Sequence, residues 1–491
     1  MKNIDVSKPT RITLSEILYN SLAQAAIKCA QTHNKPLKIY LFLFIIGSIS
    51  LASYMLIESV IEYFSYEVIT IVRNLPEKPS SLFPVITICN QNMFTTSYAK
   101  EFVQSINSSW NVFTNREAMA NSSYKDNFDA RINFFNLAIG SVFKENFTQE
   151  KRQKLGHHLD DILISCFFSN QKCSSDDFVW KFDSLYGNCY MFNSDAKRPK
   201  ESTIPGWING LILELYVNID EDLKEFNSVY GGLGALVRID NGSYRIDHGW
   251  EGIQVQAGLN TYIALSRAFN FILPKPYSNC EIDSTSPKAF NSELYDLIAK
   301  SEYHYNEKIC FEQCYQRQAM FECNFTDSNF LSLYPQQPVK TNEQYECVNN
   351  VYTNKYLSRD FIENTCMPLC PLECNQTVYK ASVTTTRLFG NLYVDYIKRN
   401  PNISIDFRNK TINVETTAES VARVYIFYDS LSYEMTTESP KISLPCLLAS
   451  IGGNLSLFLG VSLFSICEIV EVLIEMVYEK RKNAQINTGQ N

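Results

Sequence analysis

The chain has 491 residues, of which 20% are charged and 45% are hydrophobic, and its formal net charge is −8. This composition is ordinary for a folded protein, so a membrane-embedded part can only be a minority of the chain. The negative net charge argues against a nucleic-acid-binding protein, whose binding surface would be basic.

Two apolar segments are long enough to cross a membrane. The first, IYLFLFIIGSISLASYMLI at residues 39–57, contains no charged residue and has close to the roughly 20 residues that a spanning helix needs. The second is uncharged from Pro445 to Cys467. Because the first segment follows a long polar stretch and lacks a small-residue cleavage site, it does not resemble a signal peptide. We predict transmembrane helices at 38–58 and 444–478.

Basic residues lie on the N-terminal side of the first apolar segment and on the C-terminal side of the second. The residues concerned are Lys28, Lys35, Lys38, Lys480, Arg481 and Lys482. Since basic residues mark the cytosolic side of a span, we predict cytosolic segments at 1–37 and 479–491. Residues 59–443 then form an extracellular domain.

Sequons and cysteines agree with that placement. The Asn-X-Ser/Thr sequences in the expected extracellular domain begin at Asn107, Asn121, Asn146, Asn241, Asn324, Asn375, Asn402 and Asn409. One more, at Asn454, lies in the second apolar segment. Twelve of the fifteen cysteines lie in the same domain, an even number that suits an oxidising compartment. Cys29 and Cys467 lie outside it and are expected to be free thiols, and Cys446 lies at its boundary.

The last eight of those twelve cysteines have a helical spacing. EKICFEQCYQRQAMFEC and ENTCMPLCPLEC each repeat cysteine after four residues, which places a pair on one face of a helix. Two such helices packed antiparallel would be joined in rungs, with one further bridge at each end. The expected bridges are Cys310–Cys370, Cys314–Cys366, Cys280–Cys374 and Cys323–Cys347. A zinc site is the alternative interpretation, but the neighbouring sequons favour disulfides.

The rest of the extracellular domain shows mostly strand patterns. Segments rich in β-branched and aromatic residues, bounded by Gly, Pro, Asn or Asp, occur at 83–90, 210–220, 234–240 and 421–429. Residues 100–163 have a more helical pattern. We predict an α+β fold with a central β-sheet and peripheral helices.

No catalytic motif is present. The sequence lacks GxSxG, HExxH and GxxxxGK[ST]. His157 and His158 are adjacent and would point in different directions, and the glycines at 231–234 lack the strand–turn–helix context of a phosphate-binding loop. An ectoenzyme therefore has no residue to support it, and we expect no cofactor and no metal.

The second apolar segment carries polar residues on one stripe. On a continuous helix, an arc of about 80° would contain Gly453, Leu457, Gly460, Phe464, Glu468, Glu471 and Glu475. A carboxylate at the bilayer centre costs at least about 2.5 kcal/mol, so such groups normally face protein or water. Plain helix packing through the glycines, with the glutamates beyond the lipid, is the alternative interpretation.

Several copies of the chain arranged around an axis would explain both the glycines and the glutamates of the stripe. The two spans of one chain cannot enclose a pore, whereas the spans of several copies can. Rings of Glu favour cations, and small residues bring backbone carbonyls close to an ion. The stripe predicts a cation channel built from several two-span subunits.

Several motifs now carry a family resemblance. GNLSLFLGVSLFSICEIVE, together with FPVITICN, YGNCYMFN, LPKPYSNC and CPLEC in this order, resembles the degenerin, epithelial sodium channel and acid-sensing channel family. The resemblance implies a plasma-membrane homo- or heterotrimer in contact with lipid, with a hand-like external domain. It also implies sodium as the permeant ion and block by amiloride-like drugs.

The resemblance assigns further roles to single residues. It implies a selectivity filter at Gly460, Val461 and Ser462 that interrupts the helix, and it matches Ala449 to the small residue above the pore. We expect the gate at Ala449, Ser450, Gly453 and Leu457. The glutamates of the stripe, Glu468, Glu471 and Glu475, are the expected cation pathway. The resemblance further implies coupling of the external domain to the membrane helices through Tyr66 and Tyr277, for which ordinary interfacial tyrosines are the alternative. Two more bridges follow from it, Cys89–Cys189 and Cys166–Cys173.

Departures from the family bear on gating. The cytosolic His-Gly motif is replaced by Ala23-Gln24, Ser450 stands where acid-sensing members have Asp, and no His lies near Val68. These absences weaken proton gating, although carboxylate clusters could still sense protons. We therefore expect an extracellular peptide ligand. The alternatives are a proton-gated or constitutively open sodium channel and, in a different class, a two-span receptor without a pore.

Overall fold

A computed structural model describes most of the chain and divides it into two units. It describes residues 28–76, 80–106, 135, 138–143, 147–195, 197–217, 234–241, 252–284, 286, 289–301, 303–335, 337, 339, 341–388, 390–399, 414, 417, 420–460 and 474. The terminal unit comprises the chain up to Thr70 and from Glu438 onward, and the central unit comprises Ile71–Thr437.

The helices are numbered here in chain order. They are α1 (Lys35–Phe64), α2 (Ser97–Ile106), α3 (Gln149–Gln153), α4 (Leu159–Ile162), α5 (Glu293–Ala299), α6 (Glu307–Cys323), α7 (Asn342–Val351), α8 (Arg359–Phe361), α9 (Asn391–Arg399) and α10 (Leu444–Leu459). Short 3₁₀ turns cover Ser175–Asp177 and Trp207–Asn209, and π-helical turns cover Tyr352–Tyr356 and Ile362–Cys366.

The strands are numbered in the same way. They are β1 (Val68–Pro76), β2 (Ser81–Leu82), β3 (Val85–Asn90), β4 (Leu163–Phe168), β5 (Gln171–Lys172), β6 (Phe178–Asp183), β7 (Gly187–Phe192), β8 (Glu201–Ser202), β9 (Leu211–Tyr216), β10 (Gly234–Asp240), β11 (Ile253–Gln256), β12 (Leu259–Phe271), β13 (Asn375–Arg387) and β14 (Val421–Pro440).

Two sheets form the centre of the central unit. The larger has the order β13-β12-β14-β9-β4-β5, and β1 also pairs with β14. Within it β12 and β14 run parallel, whereas β12 and β13 run antiparallel from Leu259↔Arg387 to Phe271↔Asn375. The smaller sheet has the order β11-β10-β3-β7-β6.

One hydrophobic core joins the two sheets. Ile86, Ile88 and Val237 from the smaller sheet belong to the same buried cluster as Leu213 and Val424 from the larger one. Both faces of β3 and β7 are buried, which explains why their sequences are apolar without alternation. The predicted α+β class is confirmed, and the strands expected at 83–90, 210–220 and 234–240 correspond to β3, β9 and β10.

A helical subdomain surrounds α6. Asn306 caps its first turn by accepting a hydrogen bond from the Lys308 N–H at 3.0 Å. The helix ends at Asn324, whose φ of 61° is the left-handed conformation common at helix ends. Cys310, Cys314 and Cys366 are fully buried in the cluster beside it.

The second cysteine-bearing segment differs from the expected α-helix. Cys366 ends a π-helical turn, and irregular turns follow it as far as Cys370. Pro368 has no N–H to donate, and Pro371 disfavours helical backbone at the residue before it. The Cys370 N–H still donates to the Cys366 carbonyl at 3.0 Å, so the two cysteines remain one turn apart, as the spacing required.

The terminal unit contains the two apolar helices. Helix α1 runs for 30 residues and is the one helix in the described part of the chain that is long and apolar enough to cross a membrane. It extends beyond the expected 38–58 at both ends. Helix α10 is a shorter apolar helix that packs against α1.

Candidate functional site

The expected gate residues lie on α10. Ala449, Ser450, Gly453 and Leu457 are all helical, and the first residue of the expected filter, Gly460, follows the helix directly. The remaining expected pore residues, Val461, Ser462, Glu468, Glu471 and Glu475, lie outside the described residues.

Local chemistry fixes the start of α10. The Ser443 hydroxyl accepts a hydrogen bond from the Cys446 N–H at 3.4 Å, and Pro445 occupies the first turn, where its missing N–H is not needed. The side chain of Cys446 is an exposed free thiol at this boundary, while the free thiol of Cys29 is buried. Cys467 lies outside the described residues.

The end of α10 is a break in the middle of the apolar segment. Gly460 has φ 66° and ψ 18°, a left-handed conformation that glycine adopts without steric cost. Its N–H donates to the Ser456 carbonyl at 3.1 Å and closes the last turn. A helix that ends here leaves its last carbonyls without a donor from the same helix.

The glycine face of α10 is open in the single chain. Apart from its chain neighbours and the adjacent backbone of α10, a Cβ built on Gly452 or Gly453 would meet no described atom within 4 Å. One turn further on, the Leu457 side chain is 77% exposed. The side of α10 that carries the expected gate residues is therefore available for contacts outside this chain.

An ion-pair cluster lies beside the start of α10. Lys441 Nζ is 2.9 Å from Glu62 Oε1 and 2.7 Å from Glu67 Oε2. Hydrogen bonds to Glu67 and Glu62 raise the pKa of Lys441, so it keeps its charge. The sequence interpretation missed this cluster. The available signal was a set of three acidic residues, Glu58, Glu62 and Glu67, just after the first apolar segment and a single lysine just before the second.

The two tyrosines expected to couple the domains lie in different units. Tyr66 follows α1 with φ 52°, and its ring meets Phe64 edge-on with centroids 6.3 Å apart. Tyr277 lies in a turn where its N–H donates to the Pro274 carbonyl at 3.0 Å. The Cys280–Cys374 disulfide anchors the end of that turn.

All twelve cysteines of the expected extracellular domain form disulfides in the structure. The pairs are Cys89–Cys189, Cys166–Cys173, Cys280–Cys374, Cys310–Cys370, Cys314–Cys366 and Cys323–Cys347. They are the six pairs expected from the spacing and from the resemblance.

The expected glycosylation sites are described in part. Asn241, Asn324 and Asn375 are exposed. The other five, Asn107, Asn121, Asn146, Asn402 and Asn409, lie outside the described residues. In the described part of the chain, no group of three or more His, Cys, Asp or Glu side chains is arranged to hold a metal ion.

Comparison with known proteins identifies the family. The family model described as "Amiloride-sensitive sodium channel" matches residues 19–472. Human acid-sensing ion channel 2 is 26% identical over 91% of this chain and 83% of its own length. The mouse bile acid-sensitive ion channel is 25% identical over 91% of this chain and 85% of its own length. The Caenorhabditis elegans degenerin-like protein asic-2 is 24% identical over 91% of this chain and 83% of its own length.

The match spans both apolar helices, the disulfide-bonded domain between them and the segment around Gly460. The chain therefore belongs to the amiloride-sensitive sodium channel family and is a cation channel rather than an enzyme.

Proposed function

We propose that the chain is one subunit of a trimeric, sodium-selective channel of the plasma membrane, with two spans and both termini in the cytosol. An extracellular ligand, a short neuropeptide, opens it. The permeant ion is sodium, and amiloride-like drugs block the pore. No cofactor takes part.

The helix break at Gly460 carries this proposal. It falls inside the uncharged segment Pro445–Cys467, where lipid offers no hydrogen bonds to backbone groups. Non-helical backbone at membrane depth is tolerated only where protein covers it or where it lines a water-filled cavity. A selectivity filter at Gly460, Val461 and Ser462 on an axis shared by three copies would meet that condition, because backbone carbonyls of a filter can coordinate a dehydrated cation.

The glutamates beyond the break extend the same pathway. Glu468, Glu471 and Glu475 would each form a ring of three carboxylates around the axis, which attracts cations and repels anions. A single chain cannot satisfy this arrangement, because its carboxylates would face lipid at a cost of several kcal/mol. Assembly around an axis removes that cost.

Replacing Gly460 tests the proposal. Alanine in the left-handed conformation costs about 1–2 kcal/mol, so Gly460→Ala should distort the filter without unfolding the chain. We expect the reversal potential, measured under voltage clamp with sodium outside and potassium inside, to move toward zero as sodium selectivity falls.

A matched control uses a helical glycine in open space. A Cβ on Gly47 would meet no described atom within 4 Å, so Gly47→Ala should leave the reversal potential unchanged. A Gly460→Ala channel with the selectivity of the wild type would argue against a filter at Gly460. If Gly47→Ala shifted the reversal potential as much as Gly460→Ala, the loss of selectivity would not be specific to the position of Gly460.

One relative supports a second trigger. Human acid-sensing ion channel 2 is named for a response to acid and is 26% identical to this chain. A proton-gated channel is therefore the alternative within the family, and a constitutively open one is a further alternative. Current evoked by a step to pH 5 without peptide would support proton gating, whereas current evoked at pH 7.4 by a short amidated peptide would support the neuropeptide.

A further inference from the structure

We propose that Lys441 is a positioning residue that couples the outer ends of the two apolar helices when the channel opens, through its ion pairs with Glu62 and Glu67. This inference rests on the proposed channel function. All three residues belong to the terminal unit.

Backbone and side-chain contacts both join the segment that follows α1 to the segment that precedes α10. The Lys441 N–H donates to the Glu67 carbonyl at 2.9 Å, and the Ser439 hydroxyl donates to the Ile69 carbonyl at 3.5 Å. These bonds align the segment after α1 with the segment before α10. The Lys441 ammonium group then extends the connection to Glu62, which lies on α1 itself.

The position of Lys441 makes the connection short. Glu62 lies in the last turn of α1, which ends at Phe64. Lys441 lies two residues before Ser443, whose hydroxyl caps α10. A displacement of one helix end is therefore passed to the other through a single side chain and one intervening residue.

Helix electrostatics favours a cation at this point. The C-terminal end of a helix carries partial negative charge, so a carboxylate there is unfavourable and a cation is favourable. The last turn of α1 contains no basic residue, yet it contains Glu62. Lys441 supplies the missing positive charge from another segment.

The cluster is too exposed to be explained by stability. The side chains of Lys441, Glu62 and Glu67 are 42%, 38% and 56% exposed, and such ion pairs contribute little to folding. A closed and an open state that differ in these contacts would, however, shift in relative population by about two- to fivefold when the pairs are lost. That range is measurable in a current.

A charge exchange tests the coupling in the full-length channel. The stimuli are a step from pH 7.4 to pH 5 and a panel of short amidated peptides, and current without stimulus is normalised to surface protein. Lys441→Ala and Glu67→Ala should each shift the half-activating stimulus, or the unstimulated current, by about two- to fivefold in the same direction. The double variant should shift no further than Lys441→Ala, because the pair with Glu67 is already lost when the Lys441 ammonium group is removed.

Rescue separates coupling from a structural role. Lys441→Arg and the exchanged pair Lys441→Glu with Glu67→Lys should both return the response toward that of the wild type, and the reversal potential should stay constant throughout. Lys154→Ala removes the exposed pair with Glu150, which joins residues of one short segment, and should shift nothing.

Additive shifts in the double variant, or an exchanged pair that behaves like Lys441→Ala, would overturn this inference while leaving a sodium-selective current in place. A wild-type channel that passes no sodium current would overturn the proposed function and this inference with it.

Discussion

At the scale of single residues, a buried ion pair fixes the hairpin between β6 and β7. Arg238 Nη1 is 2.8 Å from Asp183 Oδ2, and the two side chains are only 3% and 1% exposed. The other carboxylate oxygen of Asp183 accepts the N–H groups of Leu185 and Tyr186 at 2.8 and 2.9 Å. The Arg238 guanidinium also lies 5.7 Å from the Tyr186 ring centroid. Burial raises the pKa of that Tyr186 hydroxyl.

Arg238→Met should therefore lower the free energy of unfolding by about 3–5 kcal/mol, because it leaves the Asp183 carboxylate buried and without its counter-ion. The melting temperature of the purified full-length protein in detergent measures this loss. Arg198→Met is the matched control, since Arg198 is 80% exposed in its pair with Asp195 and should cost less than about 1 kcal/mol. Similar melting temperatures for the two variants would contradict the assignment of a buried pair.

The sequence could not reveal this pair. Asp183 and Arg238 are 55 residues apart in the chain. In addition, the sequence pattern of the strand GALVRID predicts that its arginine faces solvent. The expected pore residues stood out in the sequence, because a glycine within the uncharged segment and three glutamates just after it conflict with lipid. The role of Lys441 was not predicted, because Glu62 and Glu67 lie far from it in the chain and neither belongs to a recognisable motif.

At the scale of elements, two disulfides bind α6 to the turn at Cys366–Cys370. The Cys310–Cys370 bridge spans 60 residues and the Cys314–Cys366 bridge spans 52. Once one of these bridges has formed, the other closes only a small loop. That loop consists of the residues between Cys310 and Cys314 and those between Cys366 and Cys370. In the chain-entropy account, the second bridge therefore contributes less than the first.

Removing either of these two bridges should cost about 2–3 kcal/mol, and removing both should cost about 1 kcal/mol more than the sum of the single losses. Paired Cys→Ala variants, compared by melting temperature without reductant, measure these losses. The Cys323–Cys347 bridge spans 24 residues at the far end of α6 and provides the control, because its removal should combine additively with either rung. If the losses from removing Cys310–Cys370 and Cys314–Cys366 were additive, the two bridges would not restrict the same loop of the unfolded chain.

The elements show where sequence patterns succeed. β12 alternates buried Thr261, Ile263 and Leu265 with less buried residues, which is the period-two pattern of a strand with one buried face. β13 has no such alternation because most of its residues are exposed, so only its content of Thr and Val indicates a strand. β14 continues well past the expected 429 because its polar half pairs with β12 as far as Phe271↔Thr437, a contact that local sequence does not encode.

At the scale of the whole molecule, the terminal unit requires surroundings that the single chain does not supply. Tyr40, Leu43 and Phe44 on α1 are each more than 60% exposed, and Leu448 and Leu457 on α10 are exposed as well. Apolar surface of this extent is not stable in water. Lipid would cover α1, and further copies of the chain around an axis would cover the glycine face of α10.

In the proposed channel, the helix end at Gly460 lines a sodium-conducting axis formed by several copies of the chain. The most direct measurement is the reversal potential of current through the purified full-length chain in a planar bilayer with sodium on one side and potassium on the other, under the peptide panel and the step to pH 5. We expect a reversal potential close to the sodium equilibrium potential. A bilayer that contains the protein and passes no sodium under any of these conditions would contradict it.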